Sequence, residues 1–338
     1  MKKDISVFLL CIFILTLFSA CVTNLDTSSQ SEGSSNNTLK SRCSYDKESE
    51  TVTISGTGEF SVDSHLNAQL CKIENPKHIV ISEGITSVGY FAFSYGKEGN
   101  TGKDLNHFDK IETVKLPDTV TEIGESAFEN CVNLTEINIP ENVTKIGNCA
   151  FENCEKLRSI SIPDSVTSIG GLTFKDCTSL EELKLPPKIT TVSESICDEC
   201  ENLKSVEIPS GVTVISGIAF GGCTKLESIS LGDSITDIQY NAFYNCKNLS
   251  EINFPDSLKT VGDMAFVDCD KLESVTIPAS VKSIGDHAFG FYDHNSNYDH
   301  NSNEEGYAKY DGFTIKGQKG SAAQTYAEKN GFKFMEAD

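Results

Sequence analysis

The sequence predicts a solenoid: stacked 23-residue β-rich coils that carry a parallel sheet, closed by an N-terminal β-cap and a C-terminal strand–helix cap. Three columns of residues predict it. Phe128, Phe151, Phe174, Phe220, Phe243, Phe266 and Phe289 share one register, with Cys197 in the single vacant place. Three positions later come Cys131, Cys154, Cys177, Cys200, Cys223, Cys246 and Cys269. Three further on come Leu134, Leu157, Leu180, Leu203, Leu226, Leu249 and Leu272. A fixed period of this length marks supersecondary units that bury their apolar faces only by stacking. Such an array offers a long repeated surface rather than a cleft.

The chain opens with a leader. Lys2 and Lys3 precede an apolar run from Ile5 to Phe18, and Ser19-Ala20-Cys21 follows. A basic start, a short apolar stretch and small residues before the cut describe an export signal over 1–20. The end of this stretch resembles a bacterial lipobox, which implies lipidation of Cys21; a plain secretory signal cut nearby is the alternative. Two or more acyl chains on Cys21 give stable anchoring where one is marginal. Residues 21–41 are rich in Ser, Asn, Thr and Gly and read as a flexible tether. The location this predicts is export and lipid anchoring to the bacterial membrane, outer membrane or cell surface, with contact to the membrane through the anchor only.

Residues 42–78 do not carry the repeat and read as the N-terminal β-cap. Thr51-Val52-Thr53-Ile54-Ser55 alternates and then turns at Gly56 and Gly58, the pattern of a hairpin. Cys43 and Cys71 both fall here and are candidates for a disulfide, although spacing alone cannot establish the pairing. Nine coils fill 79–290. Phe93 and Phe128 are 35 residues apart, so one coil carries an insert near 94–108 that reads as a surface loop. Residues 291–306 hold a duplicated phrase, Tyr292-Asp293-His294-Asn295-Ser296-Asn297 and Tyr298-Asp299-His300-Asn301-Ser302-Asn303. Residues 307–338 read as the C-terminal cap, with Phe313-Thr314-Ile315 as a strand, Ser321 capping a helix and Asn330-Gly331 stopping it.

Within a coil, Ile137 and Ile139 point the same way on a strand because side chains alternate with period two. Gly124, Gly147, Gly170, Gly262 and Gly285 suggest a turn that needs a relaxed backbone, although Ser193, Ser216 and Gln239 occupy the same register. The cysteine column reads as small buried groups, since ladder neighbours about 4.8 Å apart with parallel side chains are poorly placed to bridge. Cys197, standing where phenylalanine belongs, predicts slack between Phe174 and Phe220, and refilling it with phenylalanine is expected to stabilise the fold.

The outward positions of the strand form the candidate binding face. One column is Glu136, Ser159, Glu182, Ser205, Ser228, Glu251 and Ser274; its neighbour is Asn138, Ser161, Lys184, Glu207, Ser230, Asn253 and Thr276. These are short hydrogen-bonding groups and scattered charges without Trp, Tyr or Arg anchors, so the face suits broad multivalent contact rather than one tight hot spot. Tyr292 and Tyr298 in the duplicated phrase are the candidate binding loop. A net charge of −21 repels nucleic acid and anionic head groups and favours basic protein partners.

The phrase Ile139-Pro140-Glu141-Asn142-Val143-Thr144-Lys145-Ile146-Gly147, with Ala150-Phe151-Glu152-Asn153-Cys154 after it, resembles the BspA-type, or treponemal-type, leucine-rich repeat. The resemblance implies a leucine-rich repeat solenoid on a surface protein that mediates adhesion to host or microbial proteins, without naming a ligand. A non-binding surface coat or spacer is the other reading.

Chemistry finds little support. No P-loop, zincin or nucleophile-elbow phrase occurs. Cys197-Asp198-Glu199-Cys200 spells C-x-x-C, but both cysteines sit on buried registers and packing explains them. Asp293, His294, Asp299 and His300 could gather a metal, but a duplicated surface loop is the simpler reading. No enzyme activity, cofactor or metal is expected. Asn133-Leu134-Thr135 and Asn248-Leu249-Ser250 match glycosylation sequons that the repeat itself generates.

Overall fold

The computed structural model describes residues 42–60, 73, 76–94, 108–293 and 306–337. The leader, the tether, Cys71, the insert between Ser94 and Phe108, and Tyr298 lie outside the described residues.

Most coils contribute two short strands, and within each sheet a strand pairs in parallel with its copy in the next coil. Ser159 pairs with Glu182, Glu182 with Ser205, and Ser205 with Ser228, a slip of one repeat per step. The second strand stacks the same way, with Lys145 beside Ser168 and Val214 beside Asp237. Strand pairs this short are held by stacking rather than by length, because every coil supplies the apolar face its neighbours bury. Between the two ladders the phenylalanine rings lie one on another. Centroids are 5.5 Å apart for Phe128 and Phe151 and 5.7 Å for Phe151 and Phe174, at interplanar angles of 5° and 2°.

The array is longer than nine coils: about eleven turns of roughly 23 residues precede and include the C-terminal closure. The ring ladder already begins at Phe60, 5.2 Å from Phe93. The segment Thr51–Ser55 is not the first arm of a hairpin closed at Gly56. It pairs antiparallel with the preceding Arg42–Asp46 and in parallel with His78–Ile81. After the glycines the chain crosses to the other ladder, where Gly58–Phe60 runs parallel to Ile85–Val88. The glycine corner is therefore a solenoid corner, and the antiparallel Arg42–Asp46 covers the open edge.

The first-strand ladder is interrupted. Strands 42–137, 159–230 and 274–336 form separate hydrogen-bonded sheets. One break falls at Glu251–Asn253, where Phe254 stands in a column of Ile and Leu. Its ring sits edge-on to Phe266 at 5.9 Å and to Phe289 at 5.8 Å. The larger ring and the lost strand pairing occur in the same coil.

The glycine column is not a set of left-handed turns. A Cβ on Gly147 would lie 2.4 Å from the Glu125 nitrogen of the preceding coil, and one on Gly285 2.4 Å from the Asp263 nitrogen. Close approach of successive backbones, rather than φ, is what requires glycine there. The left-handed positions lie elsewhere. Ser126, Cys149, Leu172, Ser195, Ile218, Asn241, Met264 and His287, two residues before the ring column, all have φ between 52° and 59°.

The vacancy at Cys197 is compensated. One residue earlier the column of Ala127, Ala150, Thr173, Ala219, Ala242, Ala265 and Ala288 takes its one large side chain at Ile196, which is fully buried together with Cys197. Exchanging Ala–Phe for Ile–Cys moves volume from one register to its neighbour and conserves the total, so the expected slack is occupied.

At the C-terminus, Ser274–Ile277 pairs in parallel with Thr314–Gly317, and that strand with Lys333–Glu336. Helix α1, Ala322–Asn330, crosses the end of the ladder. The Tyr326 hydroxyl donates to the Phe289 carbonyl at 2.9 Å and accepts from the Phe289 nitrogen at 2.8 Å. That bond pair ties the helix to the last stacked ring. Ser321 occupies the N-cap position, but its side chain makes no capping hydrogen bond; Gly331 closes the helix at φ 69°.

Candidate protein-binding surfaces

The strand face is built by period-two alternation in each short strand: Leu183 is buried between exposed Glu182 and Lys184, and Val206 between exposed Ser205 and Glu207. Of the fourteen expected residues all are exposed except Ser274, which is half-buried. Their chemistry is less free than their exposure implies. Asn138 turns its amide onto the backbone of Leu116, accepting from the nitrogen at 2.8 Å and donating to the carbonyl at 2.9 Å. It therefore serves as a rung between coils. Beside the face, Lys204 is 2.7 Å from Glu181 one coil earlier. Glu251 and Asn253 sit where their coil forms no strand on this face, so the fourteen residues do not make one unbroken ladder.

The duplicated phrase is described only at its start. Phe291–Asp293 pairs antiparallel with Tyr307–Lys309. Tyr292 is half-buried, its ring 5.1 Å from that of Tyr310. His294, Asp299 and His300 lie outside the described residues, and among those described no group of three or more metal-ligating side chains converges.

The cysteine column is a hydrogen-bonded ladder. Each thiol donates to a carbonyl of the preceding coil: Cys177 to Phe151 at 3.2 Å, Cys200 to Phe174 at 3.1 Å, Cys223 to Cys197 at 3.2 Å. Burial raises the Cys177 and Cys223 thiols well above their ordinary pKa, which removes the thiolate that redox or metal chemistry needs. Cys197 and Cys200 are packing and ladder residues, both fully buried. Cys43 is half-buried, and its candidate partner Cys71 lies outside the described residues. The sequon asparagines are likewise structural, since Asn133 donates to Asp109 at 2.5 Å and Asn248 to Thr224 at 2.9 Å.

A second surface escapes a reading of buried periods. At the corner before the ring column, Tyr90 and Phe91 stack edge to face at 4.1 Å and remain 39% and 40% exposed. On the same register Tyr240 is 39% exposed. Its ring lies over Gly217, where a Cβ would meet it at 2.5 Å, and its hydroxyl donates to Glu194. Burial, and then the Glu194 carboxylate, push the Tyr240 hydroxyl up to about 12. Ile218 reaches across the same corner, with its Cγ2 2.8 Å from where a Gly221 Cβ would stand and Asp198 beside it. The sequence signal was present in the aromatics of one outward register, but it appears in only two coils.

The BspA type leucine-rich repeat family model matches six copies along the chain, over residues 103–227 and 213–309. The chain belongs to this family. Repeats of this kind are generally modules for protein–protein interaction. Among solved structures, a leucine-rich repeat protein from Bacteroides ovatus is 29% identical over 72% of this chain and 66% of its own, with a TM-score of 0.56. This BspA-type chain thus spans slightly less than two thirds of that relative. A Treponema pallidum leucine-rich repeat protein is 22% identical over 69% and 87% of the two chains, TM-score 0.45. A leucine-rich cell surface protein from Faecalibacterium prausnitzii is 24% identical over 78% and 75%, TM-score 0.39. No curated protein matches the chain. Among the described residues no helix is long and apolar enough to cross a membrane.

Proposed function

We propose that this BspA-type repeat chain is an exported binding protein, anchored through lipidated Cys21 and displayed at the bacterial surface, where it adheres to host or microbial surface proteins. The observation that carries the reading is repetition itself. Equivalent strand positions recur one coil apart with their side chains outward, so weak polar contacts add along the array. In this reading the Ser-, Asn-, Thr- and Gly-rich stretch 21–41 serves as the tether between anchor and body. No cofactor is required by this role.

The test is saturable binding of labelled protein to immobilised extracellular-matrix and bacterial surface proteins, with coils removed stepwise. Affinity falling with coil number supports the reading; no saturable binding to any of them sinks it. Labelling with a fatty-acid analogue, lost in Cys21→Ser, checks the anchor separately. One feature favours the spacer alternative: Asn138 spends its amide between coils rather than outward. A chain whose deletion changes surface thickness but no adhesion would decide for the spacer.

A further inference from the structure

Of the four large hydrophobic side chains that stay exposed among the described residues, Tyr90, Phe91 and Tyr240 lie along one corner of the solenoid and only Met335 lies elsewhere. The same corner is where the backbone is strained. Phe91, Leu172, Ile218 and Met264 occupy the left-handed region at φ 50°, 59°, 58° and 54°. L-residues other than Gly, Asn and Asp avoid that region, and a β-branched residue there is an outlier. Bulky apolar side chains are thus held, at a conformational cost, on positions that are not sealed in the core. Leu172, Ile218 and Met264 are all half-exposed. Packing alone would place Asn or Gly at such positions, as Asn241 shows. Retained strain of this kind points to a use for the side chains.

The charge around them has one sign. Between Tyr90 and Tyr240 the corner carries Glu125, Glu129, Glu152, Glu194, Asp198 and Glu199. Lys175, the one base there, is already 2.6 Å from Asp198. Burial raises the carboxyl pKa of Glu129 and Glu152. These acids lack enough cations to offset their desolvation, and an incoming ammonium or guanidinium would supply them. Six coil steps separate the Tyr90 and Tyr240 coils. At about 5 Å per step this is roughly 30 Å, the reach of about nine extended residues.

We propose that this corner is a second docking surface beside the strand face, and that its occupant is an extended polypeptide segment in which Lys or Arg alternates with apolar residues. The aromatics at its two ends and the half-exposed Leu172 and Ile218 between them take the apolar side chains. The acidic rows take the cations. An anionic membrane, a nucleic acid or a second copy of this acidic chain is repelled by the same field. The inference rests on the protein-binding reading and names its partner's chemistry.

The test uses the full chain and a ten-residue peptide of alternating lysine and leucine, followed by fluorescence anisotropy. Lysine–serine and glutamate–leucine peptides of equal length are the comparisons. Phe91→Asn with Ile218→Asn, and separately Glu125→Gln with Glu194→Gln, are expected to weaken lysine–leucine binding about tenfold each. The first pair should leave the unfolding midpoint unchanged or raised, because Asn suits the left-handed backbone. Glu136→Gln with Glu182→Gln and Glu207→Gln on the strand face should change binding by less than about twofold. Should the double variant fail to fold, Tyr90→Ser, which alters no left-handed residue, gives the same readout. Equal loss in the strand-face variant, equal binding of the lysine–serine peptide, undiminished binding by the corner variants, or no binding of lysine–leucine overturns the assignment. Surface proteins captured undiminished by the corner variants would leave the binding function standing and remove only its placement.

Discussion

The Cys200 thiol donates to the Phe174 carbonyl, 3.1 Å away in the preceding coil. That carbonyl also accepts the Cys177 nitrogen of its own coil at 3.1 Å. The sulfur therefore supplies a second donor to a buried acceptor, which a purely apolar side chain of the same size cannot do.

Replacing Cys200 by Ala should lower stability by about 1–2 kcal/mol, from the lost sulfur contacts and the lost donor together. Urea unfolding measures it. The native protein should react slowly at the seven ladder thiols with an aromatic disulfide reagent and fully in denaturant. The segment 42–338 contains eleven cysteines. Eleven thiols titrated in denaturant mean that Cys43 and Cys71 are reduced; nine mean that one bridge has withdrawn two.

Ile196 and Cys197 form a compensated pair, and their coupling is measurable. Cys197→Phe alone adds a ring where Ile196 already stands and should destabilise by about 1–3 kcal/mol. Ile196→Ala alone leaves a void and should cost about 2–5 kcal/mol. The double substitution restores the Ala–Phe pair that most coils carry, as at Ala219–Phe220. It should be less destabilising than either single change, a coupling that a double-mutant cycle isolates. Additive effects would show that the two side chains do not share space.

Stacking was legible in the sequence because the buried registers repeat: Phe128, Cys131 and Leu134 recur with the period of the coil. Phe60 was not, since 33 residues separate it from Phe93 and it falls outside the period. The compensation at Ile196 was missed because the vacancy and its filler sit on different registers. The left-handed corner gives almost no composition signal, as Leu172, Ile218 and Met264 are residues that backbone preference excludes there. Exposed registers vary from coil to coil, so the corner of Tyr90, Phe91 and Tyr240 leaves only a faint trace in the sequence, an aromatic shared by two coils. Asn138 shows the reverse difficulty: its register marks it as outward, and only geometry reveals that its amide is engaged with Leu116.

The glycines divide into two kinds with different sensitivities. At Gly147 an added Cβ meets the Glu125 nitrogen at 2.4 Å and the Gly124 carbonyl carbon at 2.6 Å. Both are backbone and cannot step aside without moving the coil. At Gly217 the obstruction at 2.5 Å is the Tyr240 ring, the far end of a side chain. Gly147→Ala should destabilise by about 2–3 kcal/mol or more, and Gly217→Ala by less than about 1 kcal/mol. Gly217→Ala should instead free the Tyr240 hydroxyl from Glu194, lowering its titration from about 12 toward the ordinary tyrosine range. Ultraviolet titration of the tyrosines reads that shift.

The half-buried carboxylates set an unusual pH dependence. Burial raises the pKa of Glu129, Glu152, Asp198, Glu199 and Asp268, even though Lys175 works against it at Asp198. A carboxyl whose folded pKa exceeds its unfolded value binds protons more tightly when folded, so stability rises as pH falls through the folded pKa. Three exposed carboxyls act in the opposite sense. Asp46 is held low by the Glu48 backbone N–H, Glu181 by Lys204 and Asp286 by Lys329. Their contribution is present above the unfolded value, about 4, and is lost below it. The unfolding midpoint should therefore climb as pH falls from neutral through the raised carboxyl titrations and drop again below the unfolded carboxylate value, about 4. Lys175→Met removes the cation 2.6 Å from Asp198 and 3.6 Å from Asp176. Its penalty should be about 1–3 kcal/mol at neutral pH and should shrink as pH falls through the raised titration of Asp198. A midpoint that declines steadily from neutral pH downward, or a Lys175→Met penalty independent of pH, would show that desolvation does not govern this row of acids.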